Sequence, residues 1–416
     1  MNKTRNLNWT LILTWLALTA IGLVAIYSAT QGPVSQFLPE YIQNNFTKQL
    51  IWIAIGLVIM VGIQFLPPEI FRELSYLLYG LGLIMMILTL LFGVEVHGSK
   101  SWLDLGFVRF QTSEFMKLVT ILAVAQFLTS RRDISAENLT YALIATTLVA
   151  LPTVLTVMQN DMGTALVFLA LIPILLFWSG LPYGISLFMI SPAIVGYLTI
   201  IGWHWGLIAT VVITIAIFFI QKRHWLSFAS FATGILVLIG VQVALFHVLQ
   251  PHQRARIEAF TNPSFDPQGA GWNIIQAKTA IGSGGFSGKG FLEGTQTQLR
   301  FLPEQWTDFI FCVIGEEFGF IGASIVILLF LFLFYKLLNI AANHKHPFAQ
   351  LFIVGVTGVF FIHFFINVGS STALLPIIGL PLPFISYGGT AFLINTLMLA
   401  ICVNMDFYKR EFSTYL

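Results

Sequence analysis

The sequence predicts an all-α polytopic membrane protein of about 10–12 transmembrane helices, with a large extracellular loop before the last three spans. Three observations carry this. Of 416 residues, 57% are hydrophobic and only 9% charged, with 39 phenylalanines among them. Long apolar runs recur along the chain, and backbone polar groups in hydrocarbon must find partners within their own segment, so the runs are helices. Charge is concentrated. Ten of the Asp, Glu, Lys and Arg residues (20 basic and 18 acidic in all) fall within the 58 positions 251–308.

Taken in order, the short basic start MNKTRN is followed by an apolar run over 9–28. That run is too long for a cleaved signal segment and no small-x-small site ends it, so it is read as a retained first helix. Further spans are expected at 50–66, 74–92, 113–128, 141–157 and 163–178. Three more follow at 182–201, 206–220 and 226–249, with a short turn around His204 joining the first two. After the long loop come 309–335, 347–368 and 388–402. The chain reads as one membrane domain over 1–416, with 182–220 as an additional helical hairpin.

An even number of spans places both termini on one side, and positive charge decides which. With the N-terminus cytoplasmic, the inner segments carry Lys3, Arg5, Arg72, Arg131, Arg132, Lys222, Arg223, Lys336, Lys345, Lys409 and Arg410. The short outer segments then hold only Lys48, Lys100 and Arg109. The 251–308 loop faces outward. Connectors between helices are usually much shorter, and long loops without structure are uncommon unless they bind or catalyse.

Several classes recede. No soluble domain is present, which argues against ATP hydrolysis on a cytosolic module, and no nucleic acid is expected as a partner. Cys312 and Cys402 lie in apolar runs and read as small membrane hydrophobes without a disulfide. GSGGFSGKG at 282–290 is not a Walker A loop: Ser283 stands where a glycine is required and Gly290 replaces the Ser/Thr. Its glycines favour a tight turn against a membrane surface over a phosphate cradle.

Charges inside apolar runs point to a working interior. Glu114 and Lys117, spaced i, i+3, share a helix face and can neutralise each other. They mark either a functional interior or a structural ion pair, and the residues alone leave both open. Trp102 and Arg109 lie just upstream, where an interfacial Trp is commonplace. Asp161, between two spans, reads as the N-cap of the helix beginning at Gly163. Asp308 is the last polar residue before the run FIFCVIG, with Glu316 and Glu317 beyond it. A carboxylate bordering hydrocarbon suits a general base, with helix capping as the alternative. Near the C-terminus, Pro376, Pro381, Pro383, Gly388 and Gly389 interrupt helix, as is tolerated where backbone lines a cavity. Ser386 and Tyr387 supply hydroxyls there.

Several stretches together resemble the SEDS family (shape, elongation, division and sporulation). They are GSKSWLDLG, FQTSEFMKL, QNDMGTAL, the block from RIEAF to FCVIGEEFG, and GLPLPFISYGGT, covering most of the chain from Gly98 to Thr390. NIIQAK and GTQTQLRFLPE look like the rod-shape branch more than the division branch. The resemblance implies a peptidoglycan glycosyltransferase that polymerises lipid II on the outer face of the bacterial cytoplasmic membrane during rod-shape elongation. It also implies a class B penicillin-binding protein as the partner transpeptidase. Position by position, the family's essential aspartate falls on Asp308, its tryptophan on Trp102, its glutamate and lysine on Glu114 and Lys117, its second aspartate on Asp161 and its serine on Ser386. Glu304, in the same motif as Asp308, joins the substrate-binding set. Trp306 replaces the family's usual histidine, Thr112 and Asn160 replace prolines, and SSTALLP replaces a commoner N-I-G-L-L-P. None of these changes removes a carboxylate.

The chemistry implied needs a base for the acceptor sugar's 4-hydroxyl, a positioned anomeric carbon and cations around a leaving lipid diphosphate. Asp308 is the expected base, and Arg109, Lys117 and Lys278 are the candidate cations. A divalent cation, Mg or Mn, could share that duty, though no ligand cluster in the sequence requires one. Polyprenyl tails and membrane lipids need only hydrophobic walls. Two rival readings are a lipid II flippase, which would not need a large outer loop with a carboxylate at its base, and a non-enzymatic scaffold, which would need neither Asp308 nor the buried pair.

Overall fold

Apolar runs become helices throughout. The computed structural model describes residues 7–32, 39–96, 98–104, 106, 109–129, 139–249, 251–263 and 270–412. Lys3, Arg5, Arg131 and Arg132, invoked above, lie outside them, as does Asp266 of the long loop. The first half contains α1 (Trp9–Gln31), α2 (Glu40–Gln43), α3 (Asn45–Gly62), α4 (Glu69–Glu73), α5 (Ser75–Phe92), α6 (Thr112–Thr129), α7 (Thr140–Met158) and α8 (Met162–Trp178). Next come α9 (Tyr183–Ile201), α10 (Trp203–Gln221) and α11 (His224–Val243), then α12 (Pro251–Thr261), α13 (Ala270–Ser283) and α14 (Thr295–Gln298) in the long loop. The chain ends with α15 (Ile310–Asn343), α16 (Pro347–Ser371), α17 (Gly389–Phe407) and α18 (Lys409–Phe412).

Among the described residues, 11 helices are long and apolar enough to cross a membrane. The apolar α8 is shorter, at 17 residues, but still within the range that spans a bilayer when it stands upright. Every expected span therefore has its helix. The interior is built by α6, α16 and α17, most of whose residues are buried, while α11 is almost wholly on the rim. Prolines 152, 173 and 192 sit inside α7, α8 and α9, as membrane helices tolerate. At the start of α16, Pro347 occupies the first turn and the His346 ring accepts from the Phe348 N–H, which satisfies one of the donors a helix start leaves open.

Two details differ from expectation. The turn within the 182–220 hairpin is at Gly202, held in extended backbone, so His204 lies inside α10. A three-stranded antiparallel sheet, β1 (Val94–Val96), β2 (Ser99–Asp104) and β3 (Arg109–Gln111), also sits between α5 and α6. Trp102 lies on the middle strand, β2, paired with Val94 on one side and Gln111 on the other.

The long loop is docked on α15 where that helix breaks. Gly319 is left-handed (φ 62°), which frees the carbonyls of Glu316 and Glu317 and the N–H groups of Phe320 and Ile321. The glycine-rich stretch pairs all four: Lys289 N donates to Glu316 O (3.0 Å), Gly290 N to Glu317 O (3.1 Å), Phe320 N to Gly285 O (2.9 Å) and Ile321 N to Phe286 O (3.2 Å). The stretch therefore makes its tight turn against the backbone of α15. The N–H groups of Lys289 and Gly290 are taken up by these bonds. Gly288 has φ +84°, and a Cβ there would stand 2.1 Å from Glu317 O. Gly288→Ala is expected to cost roughly 1–3 kcal/mol in backbone strain before any clash. Faster tryptic cleavage after Lys289 in detergent-solubilised protein is the expected readout. Cleavage at the wild-type rate would show that this packing does not hold the loop.

Candidate functional site

Asp308 sits in the turn between the long loop and α15, half-buried. The turn is tight: Glu304, itself left-handed (φ 46°), accepts through its carbonyl from Thr307 N (3.1 Å) and Asp308 N (3.0 Å). Three bonds then clamp the turn to the irregular 372–388 segment and α16. Ser386 Oγ donates to Thr307 O (2.6 Å), Tyr387 N to Trp306 O (2.9 Å) and Asn367 Nδ2 to Asp308 O (3.1 Å). Asn367 Nδ2 also reaches Leu380 O (2.9 Å). A Cβ at Gly379 would be 3.2 Å from Asp308 Oδ2, so the carboxylate lies directly against this backbone. Irregular chain at this depth is tolerated because protein surrounds it. Burial pushes the Tyr387 phenol up, keeping it neutral.

Beside this segment lies a charged interior. Lys117 is fully buried, with Nζ 2.7 Å from Glu114 Oε1 and 2.8 Å from His363 Nε2. His363 Nδ1 is 3.0 Å from Pro381 O. Glu114 is also buried, and its Oε2 has no hydrogen-bond partner among the described residues. The expected i, i+3 pair is therefore formed, and it reaches α16 and the 372–388 segment through a histidine that sequence reasoning did not single out.

Glu316 and Glu317 hold the loop. Glu316 accepts from Lys289 Nζ (2.8 Å) and from the N–H groups of Gln296 (2.9 Å) and Thr297 (2.8 Å). Glu317 accepts from Ser28 Oγ on α1 and from Gln298 Nε2 (3.0 Å). Both carboxylates are buried, and together they bind α14 to α15 and α1.

The other candidates are spread out. Asp161 caps α8, accepting from Thr164 N (3.0 Å) and Thr164 Oγ1 (2.8 Å), with Gln111 Nε2 at 3.2 Å. Arg109 is exposed and faces Asp104 at 3.5 Å. Lys278, on α13, is exposed, while Trp102 and Glu304 are half-buried. Ser386 bonds to backbone on both sides, accepting from Leu382 N (2.8 Å) as well as donating to Thr307, so its visible work is to fix the turn that carries Asp308. Among the described residues no group of three or more His, Cys, Asp or Glu comes together to hold a metal ion.

The chain as a whole has counterparts among known proteins. The family model for FtsW, RodA and SpoVE, described as cell cycle protein, matches residues 8–207 and 204–411. The chain belongs to this family, the SEDS proteins. It is 33% identical over 435 residues to the peptidoglycan glycosyltransferase RodA of Treponema pallidum, covering 97% of this chain and 98% of that one. To the peptidoglycan glycosyltransferase MrdB of Escherichia coli K12 it is 33% identical over 408 residues, covering 98% and 95%. A chain from a solved peptidoglycan synthase complex that coordinates polymerization and crosslinking superposes with a TM-score of 0.73 at 25% identity, covering 97% of this chain and 99% of that one.

Proposed function

We infer that this protein is a peptidoglycan glycosyltransferase that polymerises lipid II on the outer face of the cytoplasmic membrane, in rod-shape elongation. Family membership and full-length similarity to named glycosyltransferases support the activity. The observation that carries the mechanism is Asp308, half-buried at the foot of the docked loop and fixed by bonds from Ser386, Tyr387 and Asn367 to its own turn.

In the proposed reaction, Asp308 takes the proton of the acceptor sugar's 4-hydroxyl as that oxygen bonds to the donor's anomeric carbon. The bond from that carbon to the diphosphate breaks on the opposite face, configuration inverts, and the polyprenyl diphosphate leaves. The exposed cations Arg109 and Lys278 are, in this reading, the side chains that meet the diphosphate from the aqueous side. Lys117 is buried against Glu114, so its charge reaches substrate only where the diphosphate enters the interior. A divalent cation, Mg or Mn, would arrive with the diphosphate, as magnesium does when a protein supplies few ligands. Trp102, Asp161, Ser386 and Glu304 serve in this reading by shaping the site walls. A class B penicillin-binding protein is the proposed partner that cross-links the product.

The topology proposed has both termini inside and the 251–308 loop outside. With Cys312 and Cys402, both buried and free, replaced, a cysteine at Thr295 should react with an impermeant reagent on intact cells and one at Gln221 should not. The opposite pattern would invert the protein. The activity itself is tested with purified protein and lipid II, with and without the transpeptidase. Glycan polymer is expected, and its absence in both mixtures would reject the enzymatic reading.

A further inference from the structure

We propose that His363 is a positioning residue for the glycosyl transfer, joining Lys117 to the backbone that supports Asp308. The inference rests on the glycosyltransferase reading above and adds to it a residue outside the motif set.

The ring's bonding fixes its form. His363 is fully buried. Its Nδ1 faces a carbonyl oxygen, Pro381 O, at 3.0 Å, and a carbonyl can only accept, so Nδ1 carries the proton. Its Nε2 faces the Lys117 ammonium at 2.8 Å, which has donors and no acceptor, so Nε2 must offer its lone pair. Both contacts are satisfied by one neutral tautomer, whereas a doubly protonated ring would set an N–H against an ammonium.

The ring also has a matched neighbour. His363 and Asn367 are one helical turn apart on α16 and so lie on the same face. They bind adjacent carbonyls, Pro381 O and Leu380 O. Asn367 also holds Asp308 O, and the preceding residue of the segment, Gly379, lies against the Asp308 carboxylate. The two side chains thus act as paired brackets on 379–381. One ties that segment to Asp308, the other to Lys117 and through it to Glu114. Removing the second bracket leaves the segment held on the Asp308 side alone and lets Lys117 turn on Glu114. Displacements near 1 Å in a reacting constellation cost on the order of 100-fold in rate.

Three substitutions separate the bonds. His363→Phe keeps an apolar ring and removes both. His363→Gln places an amide oxygen where Nε2 accepts from Lys117, and His363→Asn places an amide N–H where Nδ1 donates to Pro381. Polymer formation from lipid II is measured per folded molecule, with thermal unfolding recorded on the same preparations. For the Phe variant the expected result is a kcat roughly 10–100-fold lower with KM little changed, and partial recovery by Gln or Asn. Activity per folded molecule equal to wild type in all three, whatever their stability, would overturn the proposal and leave a purely structural histidine. Equal, unrecovered loss in all three would overturn the bracket geometry. Wild-type protein that makes no polymer would overturn the enzymatic reading and this inference together. Polymer from wild type with full activity in the Phe variant overturns this inference alone.

Discussion

Lys117→Met is expected to destabilise the protein by roughly 3–5 kcal/mol, the range for removing one partner of a buried ion pair. The cause is local. Glu114 is buried, and Lys117 is the cation bonded to it, on the carboxylate oxygen that has a partner. Without Lys117 the charge is left in a low-dielectric interior, and His363 Nε2 loses its donor. Because α6 and α16 are interior helices, the loss should appear as a lower unfolding midpoint in detergent and lower membrane level, before any assay of activity. Exchanging the two charges should not restore the protein. A carboxylate at position 117 would face the lone pair of the neutral ring's Nε2, and only a doubly protonated, buried ring could donate both to it and to Pro381 O. A Lys117→Met protein with the wild-type midpoint would show that the pair is not load-carrying for the fold.

The helices were legible because a bilayer imposes length and apolarity, and both are written in the sequence. The nine apolar runs before the loop and the three after it all became helices, with α15 extending past its expected end at 335 to Asn343. Asp161 as a cap was legible too, because Asp before a helix start has a local partner in the N–H three residues on. What stayed hidden depends on distant partners. The kink at Gly319 is visible only once the glycine-rich loop supplies the four missing backbone bonds. Glu316 and Glu317 looked like expensive charges in an apolar run, and their partners, Lys289, the α14 N–H groups and Ser28, are 19 or more residues away. His363 is 246 residues from Lys117, and an apolar helix with one histidine carries no local signal of that contact. The strands at 94–111 are three to six residues long, too short for alternation to stand out beside a membrane helix.

Asp308→Asn is expected to lower polymerisation at least ~100-fold while the fold survives, since a general base is typically worth that much. The change is conservative where the structure constrains it. The bonds that hold the turn use the backbone carbonyls of Trp306, Thr307 and Asp308, none of which the substitution removes. Asn matches the size of Asp against Gly379, yet its amide does not take up a proton at neutral pH. Asp308→Glu retains the acid but extends it by a methylene beside Gly379, where an added Cβ would already stand 3.2 Å from Asp308 Oδ2, so it should be poor rather than equivalent. The decisive measurement is glycan polymer formed from purified lipid II by wild type and Asp308→Asn, prepared in parallel with the transpeptidase partner and with unfolding midpoints recorded. The account predicts polymer from wild type, none above ~1% of that rate from the Asn variant, and equal midpoints. Polymer from Asp308→Asn at the wild-type rate would contradict it.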